Sequence, residues 1–179
     1  MSSVQNAKRA SKPSRLKLNF YSHATLECRD IAVTRRFFEE FFGFETVQMA
    51  AGASFWARLG GDQIIVVVQA PRHGGDDKLM HVLNHNGLDV STEADVDAAH
   101  KIVTQEAETW GLKKITMPMV QHGTYSFYFW DGDNNAWEIL ANPEGGYSWG
   151  FERGDQSGRG HVARDFARPE STLTRSNKG

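Results

Sequence analysis

The sequence predicts an α+β fold that consists of two βαβββ modules. The first observation behind this prediction is the order of the periodic segments, because one strand, one helix and three short strands follow each other twice along the chain. The second is a weak sequence match between the two series. The third is size, since 179 residues suffice for one compact domain made of two small modules that share a core.

The first module begins with a strand pattern over residues 16–28, where polar and apolar side chains roughly alternate. Asp30 is the predicted N-cap of a helix over residues 31–42, and Gly43 follows it where a left-handed residue commonly ends a helix. Apolar residues, most of them phenylalanines, recur along this helix at a spacing that gives one aromatic face. Three short strands are predicted at residues 44–48, 54–59 and 64–69.

The second module repeats this order after a turn-rich break at residues 71–77. A strand is predicted over residues 79–90, and Thr92 with Asp95 forms a predicted capping box for a helix that ends at Gly111. Three strands are predicted at residues 112–117, 125–130 and 136–141, and a hairpin turn joins the last two.

The two series also match segment by segment. The matching pairs are residues 23–27 with 85–89, residues 42–44 with 110–112, and residues 63–71 with 135–143. Because one such module is too small to bury its sheet face alone, the repeat predicts that the two modules depend on each other. We place module 1 at residues 16–71 and module 2 at residues 79–143 of a domain that spans residues 16–143.

The ends of the chain differ in composition from this domain. Residues 1–15 are predicted to be a flexible basic arm, and residues 144–179 an extended tail whose end is disordered. A net charge of -2 does not favour nucleic acid as a partner. No apolar run reaches the roughly 20 residues that span a bilayer, and no signal-peptide pattern is found, so a cytoplasmic protein without a membrane partner is expected. The single cysteine, Cys28, excludes an internal disulfide and a multi-thiolate metal site.

Three residues are candidate metal ligands. His23 and His85 occupy equivalent positions in the two modules, and equivalent strand positions can converge when two such sheets face each other. Glu138 lies on the last predicted strand among apolar neighbours, where a carboxylate is costly to bury unless a charge pairs with it. A divalent metal coordinated by two neutral imidazoles would supply that charge.

This arrangement resembles the vicinal-oxygen-chelate superfamily, which includes glyoxalases, fosfomycin and bleomycin resistance proteins, methylmalonyl-CoA epimerases and type I extradiol dioxygenases. The resemblance covers about residues 18–143, and its motifs are the strand with His23, the helix end Phe41-Phe-Gly-Phe44, His85, and the hairpin from Ser126-Phe-Tyr-Phe129 to Glu138. Gly132 and Asn134 depart from the family's usual hairpin sequence, although both residue types suit a tight turn. The resemblance implies that the two modules form a cup-shaped, partly open β-barrel around a metal site.

The number of protein ligands separates the branches of this superfamily. Glyoxalases and epimerases resemble a four-ligand design, and the fourth position falls on Val66, whose side chain cannot bind a metal. The remaining set, His23, His85 and Glu138, resembles the sites of extradiol dioxygenases and fosfomycin-type thiol transferases. Two histidines and one carboxylate suit Fe(II) first and Mn(II) second. No Lys or Arg occurs in residues 115–150, which disfavours an anionic substrate there.

The resemblance also implies residues around the metal. Tyr128 lies on the strand before Glu138 and matches a substrate-facing tyrosine of the extradiol family, which would hydrogen-bond an oxygen at the site. His122 and His73 are candidates for proton transfer. Each assignment has a structural alternative, because Tyr128 also fits a half-buried strand residue and both histidines fit ordinary loop positions.

The leading interpretation is an oxidoreductase that cleaves a catechol-like ring with Fe(II) and O2, and its partners are then a small aromatic substrate and O2. One alternative is a lyase, isomerase or thiol transferase of the glyoxalase or fosfomycin-resistance type. Another is a non-catalytic protein that binds an aromatic drug, although such proteins typically lack the metal ligands. A homodimer is expected, because modules from different subunits often complete the cup in related single chains.

Overall fold

The computed structural model describes residues 22–61, 63–70, 78–121 and 123–142. The chain divides into two compact units, Met1–Ala70 and Pro71–Gly179. The predicted basic arm and C-terminal tail, together with His73 and His122, lie outside the described residues.

The first unit contains a four-stranded sheet and one helix. Its elements are β1 (His23–Cys28), α1 (Ile31–Glu40), β2 (Glu45–Ala50), β3 (Ser54–Arg58) and β4 (Ile64–Gln69). The strand order is β1-β4-β3-β2, in which β1 and β4 run parallel and the other neighbours run antiparallel.

The second unit has the same plan. Its elements are β5 (Asn86–Val90), α2 (Glu93–Gln105), α3 (Ala107–Trp110), β6 (Met119–Gln121), β7 (Thr124–Trp130) and β8 (Ala136–Ala141). The strand order is β5-β8-β7-β6, again with one parallel pair, β5 and β8. The predicted α+β class and the two βαβββ modules are therefore confirmed. None of the described helices is long and apolar enough to span a membrane.

Helix α1 begins where the sequence indicates. The Asp30 carboxylate accepts hydrogen bonds from the N–H groups of Ala32 and Val33, at 2.9 and 3.1 Å, and so satisfies donors that the first turn leaves unpaired. On the helix side of the sheet, Phe38 packs edge-on against Phe55, with ring centroids 5.5 Å apart, and both rings are fully buried. Among the described residues of the first unit, no helix covers the other face of this sheet.

Helix α2 starts with the predicted capping box. The Thr92 hydroxyl accepts from the Asp95 N–H, and the Asp95 carboxylate accepts from the Thr92 N–H. The helix packs against β7 and β8 and buries Val96 and Val103. Tertiary contacts of this kind contribute most of the stability of a short helix.

Two predicted strands of the second module are wrong in extent. Residues 112–117 form an extended segment rather than a strand, and β6 follows them. Lys114 has a positive φ of 47°, which breaks the regular pleat, so only Lys113 forms an isolated bridge to the neighbouring strand. The predicted strand over residues 79–90 begins only at Asn86, because a single 3-10 turn, Val82–Asn84, comes before it.

The two sheets pair in the same register. In the first unit, Val66 of β4 lies opposite Thr25 of β1 and opposite Trp56 of β3. In the second unit, Glu138 of β8 lies opposite Gly87 of β5 and opposite Tyr128 of β7. Val66 therefore holds the place of Glu138, and Trp56 holds the place of Tyr128.

Candidate metal centre

Two of the three predicted metal ligands meet in the second unit. His85 lies immediately before β5, and its Nε2 is 3.0 Å from Oε2 of Glu138 on the adjacent strand β8. Glu138 is only 4% exposed, whereas His85 is half-buried. A buried carboxylate is stable only with charged or hydrogen-bonding partners, and the imidazole supplies one of them.

The ring of His85 is held by two further contacts. Its Nδ1 lies 2.6 Å from the carbonyl oxygen of Val82, and because a carbonyl can only accept, Nδ1 carries the proton and donates it. The imidazole also meets the ring of Tyr128 edge-on, with centroids 4.9 Å apart. The orientation of Nε2 toward Glu138 is therefore fixed by the surrounding chain.

The carboxylate of Glu138 has further partners on β7. The side chains of Ser126 and Tyr128 hydrogen-bond it, and Gln121 donates to the Ser126 hydroxyl at 3.0 Å. On the opposite side, a Cβ at Gly87 would lie 3.9 Å from Glu138 Oε2 and closer still to a leucine methyl group. Glycine at this register position therefore leaves room chiefly for the Leu140 methyl group, because 3.9 Å from the carboxylate is an ordinary contact.

These contacts set the charge of the pair. Burial acts to raise the pKa of Glu138, but hydrogen bonds from His85, Ser126 and Tyr128 outweigh it and bring that pKa below its ordinary value. The hydrogen bond to Glu138 raises the pKa of His85 above 6.5 against the effect of desolvation, and the Val82 carbonyl adds to the rise. The pair therefore holds a proton on Nε2 to a higher pH than an isolated histidine would.

The donor set of the second unit fits a divalent metal. An imidazole nitrogen and a carboxylate oxygen converge on one point, and the Nδ1–H bond to a backbone carbonyl leaves Nε2 as the ligating atom, as in most histidine metal sites. Within either unit, the described residues contain no group of three or more His, Cys, Asp or Glu side chains that could hold a metal by themselves.

The third predicted ligand, His23, is the first residue of β1 in the first unit. Its side chain is exposed, and the Ser22 hydroxyl lies 2.8 Å from its Nδ1. The pairs Ala24–Ile65 and Asn86–Trp137 have the same register, which places His23 at the point of its module that His85 occupies in the other. Its participation in the metal centre stays a prediction.

A hollow lies on the face of the first-unit sheet that α1 does not cover. Its volume is about 580 Å³, and its wall includes His23, Val47, Trp56 and Ile64. Arg58, also on this wall, forms an ion pair with Glu45 in which Nε and Oε2 are 2.7 Å apart. The hollow therefore offers an aromatic and aliphatic surface, and the positive charge of Arg58 on its wall is already paired with Glu45.

Sequence reasoning missed several residues of the centre. Ser126 precedes Tyr128 by two positions and so shares its strand face, a signal that was available from the alternation alone. The Val82 carbonyl could not be found in that way, because its position depends on a 3-10 turn that the pattern did not indicate. Tyr128 lies as expected on the strand beside Glu138 and hydrogen-bonds that carboxylate, and its role toward a substrate oxygen stays a prediction.

The similarity of this chain to known proteins is one of structure. No protein-family model and no curated protein matches the sequence. A genomically encoded fosfomycin resistance protein of Listeria monocytogenes matches with 23% identity over 71% of this chain and 96% of its own, at a TM-score of 0.55. Lactoylglutathione lyase of Agrobacterium tumefaciens matches with 20% identity over 78% of this chain and 100% of its own, at a TM-score of 0.52.

A third similar structure is described as a possible glyoxalase of Bacillus cereus, with 19% identity over 66% of this chain and 96% of its own, at a TM-score of 0.53. A point mutant of the Listeria protein has been solved in complex with Mn(II) and 1S,2S-dihydroxypropylphosphonic acid. At these identities the likeness establishes the fold.

Proposed function

The chain has the vicinal-oxygen-chelate fold, and from this premise we propose that it is a metal-dependent enzyme whose metal is held by His23, His85 and Glu138. The observation that carries the proposal is the 3.0 Å approach of His85 Nε2 to Glu138 Oε2. A divalent metal bound there would polarise an oxygen of a small substrate as a Lewis acid. The names of the similar structures, a glyoxalase, a lyase and fosfomycin resistance proteins, favour this chemistry over oxidative ring cleavage.

Within that chemistry we favour addition to an electrophile, in the manner of fosfomycin-resistance thiol transferases, over glyoxalase-type isomerisation. Val66 holds the place of Glu138 in the first unit, so this position adds no fourth ligand of the glyoxalase kind. In such an addition, a thiol sulfur bonds to an epoxide carbon, the carbon–oxygen bond breaks, and the alkoxide takes up the proton that the thiol loses.

The substrate we propose is neutral and largely apolar. The hollow beside His23 presents Trp56 and Val47, and its Arg58 is paired with Glu45. Residues 115–150 contain no Lys or Arg, which argues against a phosphonate. His122 and His73 remain the proposed proton-transfer residues.

Ring cleavage with O2 is the second candidate. Two histidines and one carboxylate are the ligand pattern of non-haem Fe(II) oxygenases, and Val66 leaves space for a substrate with two vicinal oxygens. The edge-on contact between Tyr128 and His85 supports this candidate, because the extradiol resemblance implies a tyrosine beside the proposed ligands. A catechol and O2 are the substrates of this reaction, with Fe(II) preferred and Mn(II) possible.

One experiment separates these candidates. The full chain is loaded anaerobically with Mn(II), Fe(II) or Zn(II), and each form is tested with a neutral epoxide plus thiol without O2, and with substituted catechols in air. Thioether formation by the Mn(II) form without O2, lost in His85→Ala, is the expected result. Oxygen uptake with a yellow product, confined to the Fe(II) form, would establish the second candidate. Tight binding of an aromatic compound without turnover in any form would identify a binding protein.

A further inference from the structure

The segment over residues 79–85 lies on the face of the second-unit sheet that α2 does not cover. Three of its side chains pack against a buried cluster on that face. The packing side chains are Leu79, Met80 and Val82, and the cluster consists of Tyr128, Trp130 and Ala136. This segment ends at His85, so the position of the segment sets the position of the His85 backbone, from which the imidazole projects.

Two hydrogen bonds hold the backbone of the segment at Met80. The indole Nε1 of Trp130 donates to the Met80 carbonyl at 2.7 Å, and the Met80 N–H donates to the Asn134 carbonyl at 2.9 Å. Trp130 is only 8% exposed, and its indole N–H has a protein acceptor instead of water. The last residue of β7 therefore fixes a backbone position fifty residues earlier in the chain.

The same segment supplies the acceptor that orients His85. Val82 follows Met80 by two residues, and its carbonyl accepts from His85 Nδ1 at 2.6 Å. A hydrogen bond to Nδ1 fixes both the tautomer and the rotation of a ligating imidazole. The chain of contacts runs from the Trp130 indole through Met80 to the Val82 carbonyl and then to His85.

We propose that Trp130 is a positioning residue for the metal centre, acting through the 79–85 segment on His85. This inference rests on the proposed function in so far as His85 is a metal ligand. The indole N–H keeps the Val82 carbonyl at the distance that the Nδ1–H bond requires. Loss of that hydrogen bond leaves the ring packing of residue 130 in place but frees the segment to move, which widens the range of positions open to Nε2.

Trp130→Phe tests this proposal, because it keeps an aromatic ring in the cluster and removes only the donor and part of the ring volume. Mn(II) affinity, measured in the full chain by competition with a chelating dye, is expected to fall by roughly tenfold, the lower end of what loss of an indirect ligand partner costs. In the metal-free protein, the NMR signal of the hydrogen-bonded Nδ1 proton of His85, assigned by its absence in His85→Gln, is expected to broaden or disappear.

Trp137→Phe is the matched control. Its indole Nε1 donates to Asp131 Oδ2 at 2.8 Å, so this variant also loses a buried indole hydrogen bond, and Trp137 is fully buried on β8. It should lower the melting temperature but leave the Nδ1 signal and the Mn(II) affinity unchanged. Equal effects of the two variants on affinity would reduce Trp130 to a structural role and overturn the inference.

The two readouts also separate this inference from the proposed function. If the wild-type chain binds no Mn(II), the proposed metal site fails. The Nδ1 signal then still decides whether Trp130 positions His85. If the wild type binds Mn(II) and Trp130→Phe retains both the affinity and the signal, only the positioning role is wrong.

Discussion

Glu138 carries the charge on which the candidate centre depends, and the side chains of His85, Ser126 and Tyr128 hydrogen-bond it. Replacing one partner of a buried pair leaves the other without compensation, so small changes here have large effects. The apolar neighbours along β8 make the site intolerant of any side chain that cannot accept these hydrogen bonds.

Glu138→Gln should abolish metal binding and leave the fold in place. The amide keeps the size of the side chain but removes the negative charge, and Mn(II) affinity should fall by about 100-fold or more, beyond the range for indirect partners. Circular dichroism should be unchanged. Asp89→Asn, an exposed acid on the neighbouring strand β5, is the matched control and should bind as the wild type does. Full metal occupancy of Glu138→Gln, measured by metal analysis, would contradict the assignment of Glu138 as a metal ligand.

Metal affinity should also depend on pH. The pKa of His85 lies above 6.5 because of its hydrogen bond to Glu138, and a metal must displace the Nε2 proton. The apparent Mn(II) affinity is therefore expected to rise by about tenfold per pH unit below that pKa and to level off above it. In the metal-free protein the stabilisation from the charged His85 is full below pH 6.5 and is lost as the pH rises through the raised pKa. An affinity that does not change between about pH 6 and about pH 8 would contradict this linkage.

Asp131 opens the turn between β7 and β8 and gives a second pH effect. Burial raises its pKa from 3.8 to about 6, against hydrogen bonds from Trp137 and Asn135 that lower it. Because the folded state holds the proton to a higher pH than the unfolded state, this group's contribution to stability falls by about 3 kcal/mol as the pH rises through that interval.

Asp131→Asn removes this titration. The free energy of unfolding of the variant minus that of the wild type should therefore increase between about pH 4.5 and about pH 7.5, so that the variant becomes relatively more stable, whatever the absolute cost of losing one acceptor for Trp137. Urea unfolding at both pH values measures the difference. A constant difference for Asp131→Asn would rule out the raised pKa.

At the scale of elements, β4 and β8 show how one strand position decides the ligand count. Val66 and Glu138 occupy the same register position, and their strand partners Trp56 and Tyr128 do too. A carboxylate introduced at Val66 would leave the backbone pairing unchanged, since Val66 is half-buried on the face without α1.

Val66→Glu should convert the proposed three-ligand centre into a four-ligand one. Mn(II) affinity is expected to rise, and turnover of the epoxide to fall, because a substrate position would be filled by protein. Val68→Glu, two residues along on the same strand face, is the control and should change neither. A Val66→Glu protein with wild-type affinity and activity would show that this position does not face the metal.

Elements could be predicted from sequence where the signals are local. Asp30 marks the start of α1, and the Thr92–Asp95 capping box marks the start of α2, whereas α1 ends at Glu40, two residues before the end that Gly43 predicts. The 3-10 turn Val82–Asn84 could not be predicted, because Met80 is held there by Trp130, a contact between residues fifty positions apart. The apolar pattern of residues 79–90 does not reveal which distant side chain will hydrogen-bond the backbone of this segment.

In the candidate site, too, some residues could be predicted from the sequence and others could not. His85 and Glu138 could be singled out from the sequence, because duplicated strands carry equivalent positions and a carboxylate is costly to bury among apolar neighbours. Ser126 and Tyr128 donate hydrogen bonds to Glu138, and His85 Nδ1 donates one to the Val82 carbonyl; these bonds depend on how side chains and the 3-10 turn pack against the sheet. This packing is tertiary, and a sequence pattern gives only the strand face.

At the scale of the whole molecule, we propose a homodimer. Two large apolar side chains are exposed on one face of the first-unit sheet: Val47 at 52% and Trp56 at 40%. The two residues pair across β2 and β3, so they form one patch, and patches of this kind commonly mark an interface. Because Val47 and Trp56 also line the proposed substrate hollow, a second copy of the chain would enclose the substrate there rather than fill the hollow.

Light scattering at micromolar concentration should give the mass of two chains, and Val47→Asp should shift the protein toward the monomer by placing a charge in the interface. Val33→Asp, on the exposed surface of α1, is the control because Val33 is 64% exposed outside that patch. A wild-type monomer under these conditions would exclude the proposed assembly.

The shared register also has an evolutionary consequence. After a duplication, the helix-facing side chains of each copy remain under selection for packing, while the opposite face is released to diverge. Point mutation at a position such as Val66 then adds or removes a metal-binding group without insertion, deletion or refolding of the sheet. Changes on one face of one copy can therefore alter the number of metal-binding side chains, and with it the reaction the site supports, while the backbone pairing of both copies stays the same.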